Sequence, residues 1–221
     1  MTPRLAALAL AGLLAAPAAA STQTCGGTMD GGGTVVFATA GAYRYELDPA
    51  MDGAELGVGL AADLGPLAAE ATGTLRTLES DARLLVARGD AYLATPDLPV
   101  VGRLCITGGL GVARLSDDET GTTSTALAAP LGIRLGTGIH LGTLRAEPFV
   151  QPQAIFASSS GEAFDVEVSH SAVGAGVDAG ATLSSGNIVV GITFRYASMD
   201  AALGPHPGAD TGLVARLGLR F

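Results

Sequence analysis

Cys25 and Cys105 are the only cysteines in the chain. In an oxidising compartment an even count points to a disulfide bond rather than to thiol catalysis. The three histidines are His140, His170 and His206. His170 stands between Ser169 and Ser171, and a serine beside a histidine is the minimal nucleophile–base unit. Adjacent strand residues point to opposite faces, so neither serine meets His170 unless a bulge falls there. Asp117-Asp118-Glu119 is the densest acidic cluster. It lacks the alternating spacing of a calcium loop and reads as a solvated, self-repelling loop. No phosphate loop, zinc spacing or dinucleotide fingerprint occurs. No catalytic, cofactor or metal site is therefore expected.

The remaining chemistry lies in isolated charges set among glycines: Glu70, Arg76, Arg88, Asp90, Arg103, Arg134, Arg145, Glu147, Asp178, Arg195, Arg216 and Arg220. Every basic residue is Arg and none is Lys. A GC-rich genome produces that bias; Arg also suits bidentate pairing with buried carboxylates. These charges occupy one side of segments that alternate with period two, the period of a strand. In Asn187–Ser198, residues Ile188, Val190, Ile192, Phe194 and Tyr196 share a face opposite Val189, Gly191, Thr193, Arg195 and Ala197. Arg145–Ile155 sets Arg145, Glu147, Gln151 and Gln153 against Ala146, Pro148, Val150, Pro152 and Ala154. Leu104, Ile106, Leu110 and Val112 oppose Arg103, Cys105, Thr107, Gly109 and Gly111. Leu84-Leu85 leaves the phase of Ala82–Leu93 open. Phe164–Leu183 changes phase near Ser169–Ala172, as though a β-bulge stood there.

Turn-like clusters fall at Glu46–Ala54, Leu64–Leu67, Glu79–Asp81, Ala94–Pro99, Ser116–Ser124, Thr137–Thr143, Ser158–Ala163, Ser184–Gly186 and Met199–Thr211. They delimit ten strand-length segments, or eight if two weak ones merge. The even-numbered breaks are shorter and carry only Asp97. The odd-numbered ones hold the acidic residues, Glu55 and Asp210 among them.

Residues 1–20 combine Arg4, the apolar run Leu5–Ala16 and Pro17-Ala18-Ala19-Ala20. That is the layout of a cleaved secretory signal peptide, too short to span a membrane as a helix. Losing Arg4 makes the remaining chain one unit more negative than the −9 of the whole, which argues against nucleic-acid binding. Residues 21–33 read as a polar, Gly-rich lead-in and 34–221 as one domain. Mean hydropathy is +0.41, yet no later stretch reads as a membrane helix. Apolar residues spread at every second position fit a barrel, the other structure that spans lipid.

A strand with an oily face and a face of Gly, Thr, Gln and Arg can serve two solvents. In a soluble protein the oily face meets a core; in a membrane barrel it meets lipid and the charges line the lumen. Glycines with mixed charges suit a narrow lumen, and unpaired charges there would be costly. Short turns at one end and longer polar loops at the other are the rule for outer-membrane barrels.

The chain thus resembles the small outer-membrane β-barrel proteins of Gram-negative-type bacteria, of the OmpA/OmpX-like kind. The signal peptide, the alternating segments and the terminal Leu213–Phe221 carry the resemblance. It implies an all-β, antiparallel, up-and-down transmembrane barrel in the cell outer membrane, monomeric, with both termini in the periplasm. Leu217, Leu219 and Phe221 resemble the signal read by the barrel-assembly machinery, though Leu219 stands where the family often has an aromatic. Outer-membrane lipids are the other implied partner. A filled lumen favours a non-enzymatic structural or surface-interaction role. The alternatives are a narrow passive channel, an outer-leaflet lipid-modifying enzyme resting on His170, and a secreted soluble β-protein. Cys105 falls on the inward face, so a bond to Cys25 would pin the lead-in into or under the barrel.

Overall fold

In the computed structural model the strands are β1 (Gly33–Glu46), β2 (Met51–Asp63), β3 (Leu67–Leu78), β4 (Arg83–Ala94), β5 (Arg103–Asp117) and β6 (Thr122–Gly136). They continue with β7 (Ile139–Leu141), β8 (Leu144–Ala163), β9 (Val166–Ser185), β10 (Ile188–Met199) and β11 (Gly208–Arg220). The structure describes residues 33–46, 51–63, 67–78, 83–94, 103–117, 122–163, 166–199 and 208–221. Each strand from β1 to β6 and from β7 to β11 pairs antiparallel with its sequence neighbours within that run, β6 pairs β8, and β1 pairs β11. The ladder therefore closes into a barrel of ten strands, with the three-residue β7 folded against β8 in a turn. No two predicted segments merge, and the eight-strand alternative falls. Thr34 and Phe221 seal the seam by exchanging backbone hydrogen bonds of 3.3 and 2.9 Å.

The register determines which side chains face one another across the lumen. Opposed residues run from Gly33 through Asp63, Ala68, Tyr92, Thr107, Gly132, Gln153, Gly176, Ala197 and Asp210. The circuit returns to β1 at Tyr45, twelve residues above its start. Twelve steps of ~3.3 Å against ten spacings of ~4.8 Å tilt the strands by about 40° and set a backbone radius of about 10 Å. Such a lumen is narrow enough for side chains to fill.

The alternation sorts apolar residues outward. Leu56, Leu110, Leu217 and Phe221 are 68, 72, 61 and 77% exposed. On most strands the apolar outward positions span eight residue steps, as from Ile188 to Tyr196, Leu213 to Phe221 and Leu127 to Leu135. At a 40° tilt eight steps rise about 20 Å, close to the apolar band of membrane barrels, ~25 Å. Above the band the outward residues turn polar: Arg44, Asp52, Thr77, Arg83, Arg114, Thr125, Ser158 and Ser171. A secreted soluble protein would place its exposed leucines in a core, so the oily face here is the outer one.

Four boundary expectations change. Leu84 is buried and Leu85 exposed, so β4 alternates without a break. The bulge at Ser169–Ala172 is absent: β9 keeps one register with β8 from Ala163–Val166 to Arg145–Ser184. That stretch lies beyond the apolar band, where the outward residues Ser169 and Ser171 are polar and hydropathy no longer marks the phase. For the same reason Ser158–Ala163 is the end of β8, not a turn. The asymmetry between the barrel's ends resides in strand length rather than in loops: β8 and β9 have 20 residues each, against 12 in β3, β4 and β10.

Candidate functional site: the charged lumen

Inward positions carry the charges that alternation predicts. Glu70, Arg76, Arg88, Asp90, Arg134, Glu147, Asp178, Arg195 and Arg216 are buried, and Arg145 and Arg220 are half-buried nearer the seam end. The side chain of Arg103 lies outside the described ones. Two inward carboxylates were expected in loops. Glu55 lies inside β2 at 3% exposure and Asp210 inside β11 at 4%. Both are flanked by Asp, Gly, Ala or Thr, which reads locally as turn chemistry, but the ladder with β1 runs past each.

Toward the end remote from Phe221, Arg76 Nε donates to Glu55 Oε2 at 2.8 Å, from the directly opposed position on the next strand. Arg76 also donates to the Tyr45 hydroxyl at 3.2 Å, and its guanidinium lies 4.1 Å over the Tyr43 ring. Tyr43 and Tyr45 stack, with ring centroids 6.4 Å apart. Arg195 reaches in from β10, donating to the Tyr43 hydroxyl at 2.9 Å and standing 3.9 Å from Glu55. Asp178 faces Arg195 from β9, and Asp210 lies one diagonal away on β11. Each keeps one oxygen, Oδ2 and Oδ1 respectively, without a hydrogen-bond partner.

Nearer the seam end, Arg216 of β11 makes a two-pronged pair with Glu70 of β3, at 2.6 and 3.3 Å, across the lumen. Its guanidinium stacks 3.8 Å over Phe37. Arg88 pairs with Asp90 on its own strand at 2.7 Å, and Arg145 with Glu147 at 2.6 Å. Arg134 lies 3.8 Å over Phe149 and 5.8 Å over Tyr92. Cation–π contact and pairing together replace the water these guanidinium groups give up. Inward glycines make the room: a Cβ on Gly109 would collide with Asp90, and one on Gly212 with the Tyr43 ring.

Six carboxylates and five arginines are buried in this layer, and Asp63, Arg145 and Arg220 are half-buried at inward positions, so seven carboxylates face seven arginines and the described layer is close to neutral. Sequence reasoning missed Glu55, Asp210 and the aromatics Phe37, Tyr43, Tyr45, Tyr92 and Phe149. Tyr92 and Phe149 could have been found, because they sit in phase with the predicted inward residues Asp90 and Glu147; β1 carries no such predicted residue to set the phase of Phe37, Tyr43 and Tyr45. Cys105 is fully buried on the inner face of β5; Cys25 lies outside the described residues. His170 stands in β9 opposite Ser159, and His140 in β7 opposite Arg145. His206 and Asp118-Glu119 lie outside the described residues. Among the described residues no group of three or more His, Cys, Asp or Glu is arranged to hold a metal.

No family model matches the sequence, and no curated protein does. The fold is matched by solved structures. The β domain of the Bordetella autotransporter BrkA shares 14% identity, covers 86% of this chain and 100% of its own, and has a TM-score of 0.54. The outer-membrane protease OmpT of Escherichia coli shares 12%, covers 91% and 99%, and has a TM-score of 0.52. The attachment invasion locus protein Ail of Yersinia pestis shares 12%, covers 86% and 99%, and has a TM-score of 0.44. At such identities the likeness is one of architecture alone. The chain has the closed, antiparallel, ten-stranded, up-and-down fold of the outer-membrane β-barrels.

Proposed function

We propose that this chain is a non-enzymatic integral barrel of the cell outer membrane with a structural or surface-interaction role. The observation that supports it most is the filled lumen, whose paired charges are 1–7% exposed and belong to strands on several sides of the barrel. Side chains locked in reciprocal pairs leave little freedom for a substrate or a stream of ions. The interaction surface under this reading is the β8–β9 hairpin. Its outward positions turn from Phe156 and Val173 to Ser158, Ser160, Ser169 and Ser171. From that boundary the ladder continues for seven more residues to Ala163–Val166, roughly 18 Å beyond the band at the estimated tilt.

The seam end would face the periplasm after signal-peptide-directed export, and the long hairpin the exterior. Leu217, Leu219 and Phe221 all face lipid, where the assembly machinery would meet them. The barrel would stand as a monomer. A narrow passive channel is the second reading, since water paths can thread between ion pairs. Planar-bilayer recording separates the two: the proposal expects no unitary steps, and reproducible steps abolished by Arg76→Trp would overturn it in favour of the channel.

A further inference from the structure

Every outward-facing arginine whose side chain is described stands at one edge of the apolar band. Arg44, Arg83 and Arg114 are exposed, and each occupies the first outward position beyond Ala42, Leu85 and Val112. All three lie at the end away from Phe221. Arg44 is engaged by Asp52 at 3.9 Å; Arg83 and Arg114 have no ion-pair partner among the described residues. These two are diagonal neighbours, because Arg83 opposes Ser116 and Arg114 opposes Leu85 on the adjoining strands. That places their Cα atoms about 7–8 Å apart, close enough for two guanidinium groups to converge on one oxyanion. The exposed hydroxyls of Thr77 and Thr125 stand beside them, opposite Arg83 and Arg114.

Below the outward pair Leu75 and Leu85, 46 and 59% exposed, the lipid-facing wall is recessed. Ala71 and Gly73 on β3 meet Gly89 and Ala87 on β4. Val58 and Leu60, 66 and 47% exposed, flank this floor on β2; Leu110 and Val112, 72 and 45% exposed, flank it on β5. The barrel's own packing does not require glycine there. A Cβ at Gly73 would meet nothing within 4 Å, and one at Gly89 only a backbone oxygen at 3.9 Å. The absence of side chains matters only to what lies outside. The trough is two strands wide, about 10 Å, and begins about 10 Å below the arginines, the scale of an acyl chain beneath its headgroup. On β9 the outward alanines Ala175, Ala179 and Ala181 alternate with Val173 and Val177 and lead to Ser171 instead of to arginine.

We propose that β3–β5 hold one membrane lipid with a phosphate-bearing headgroup, its phosphate against Arg83 and Arg114 and an acyl chain in the trough. The proposal rests on the barrel standing in a membrane, which heat-modifiable gel mobility and membrane-fraction recovery test separately. Native mass spectrometry of the full barrel, released from micelles holding equal phosphatidylglycerol and diacylglycerol, tests the site itself. The barrel is expected to retain one phosphatidylglycerol in preference to diacylglycerol. Arg83→Gln with Arg114→Gln should lower that retention at least tenfold, as should Gly73→Leu with Gly89→Leu. Ala179→Leu should leave it unchanged. Equal retention of the two lipids, undiminished retention in the double Gln variant, or an equal loss in Ala179→Leu would overturn the assignment. Should the double Leu variant fail to fold, the Gln pair alone decides.

Discussion

The Glu70–Arg216 pair is the sharpest place to test whether the lumen is held by reciprocal charge. It joins β3 to β11 across the interior with contacts of 2.6 and 3.3 Å, and its side chains are 1 and 4% exposed. Glu70→Gln keeps the shape and removes one charge, leaving the Arg216 guanidinium over Phe37 with no carboxylate. Removing one partner of a buried pair costs about 3–5 kcal/mol, because the other ion stays desolvated. Replacing both charges, as in Glu70→Gln with Arg216→Met, leaves no desolvated ion and should bring the cost back to about 1–3 kcal/mol, that of a buried amide without its partner. The expected coupling energy is therefore about 2 kcal/mol or more. Arg44–Asp52 supplies the contrast: at 3.9 Å with side chains 62 and 60% exposed, Arg44→Ala should cost under about 1 kcal/mol. The chain has no Trp, so reversible urea unfolding in lipid vesicles is best followed by far-ultraviolet circular dichroism. Single variants whose costs simply add in the double variant would refute the reasoning, and would mean that water screens the lumen.

Gly212→Ala should destabilise the barrel by about 1–3 kcal/mol, because the new methyl meets the Tyr43 ring, while Gly73→Ala should change it little; the same unfolding assay reads both. We also expect Cys25 to be bonded to Cys105. Cys25 lies eight residue steps before Gly33, a reach of about 26 Å when extended; the chord from β1 to β5, four strands round a 10 Å radius, is about 19 Å. Non-reducing mass spectrometry showing two free thiols in the exported chain would end that idea.

Much of this barrel is legible residue by residue. Alternation is local, so Ile188–Tyr196 and Arg145–Gln153 could be assigned their faces without knowing any neighbour. The pairs Arg88–Asp90 and Arg145–Glu147 are legible for the same reason, since side chains two apart on one strand share a face. Glu55, Asp210 and the Leu84-Leu85 step were not, because a strand that ends among Asp, Gly and Thr resembles a turn until its partner's ladder is seen to continue past it. Phase failed again in β9 beyond the apolar band, where the outward residues are serines and hydropathy no longer marks which residue points where. The sequence by itself determined the alternating strands and, through the Gly- and Arg-rich composition of one face together with the turn pattern and residues 1–20, pointed to a barrel with an oily exterior and a charged interior. Only the tertiary structure decided which charges meet. Glu70 finds Arg216, and Glu55 finds Arg195, through the closure of β1 on β11 and the twelve-residue climb of the register. Those are sums over every strand pairing, and no single segment contains them.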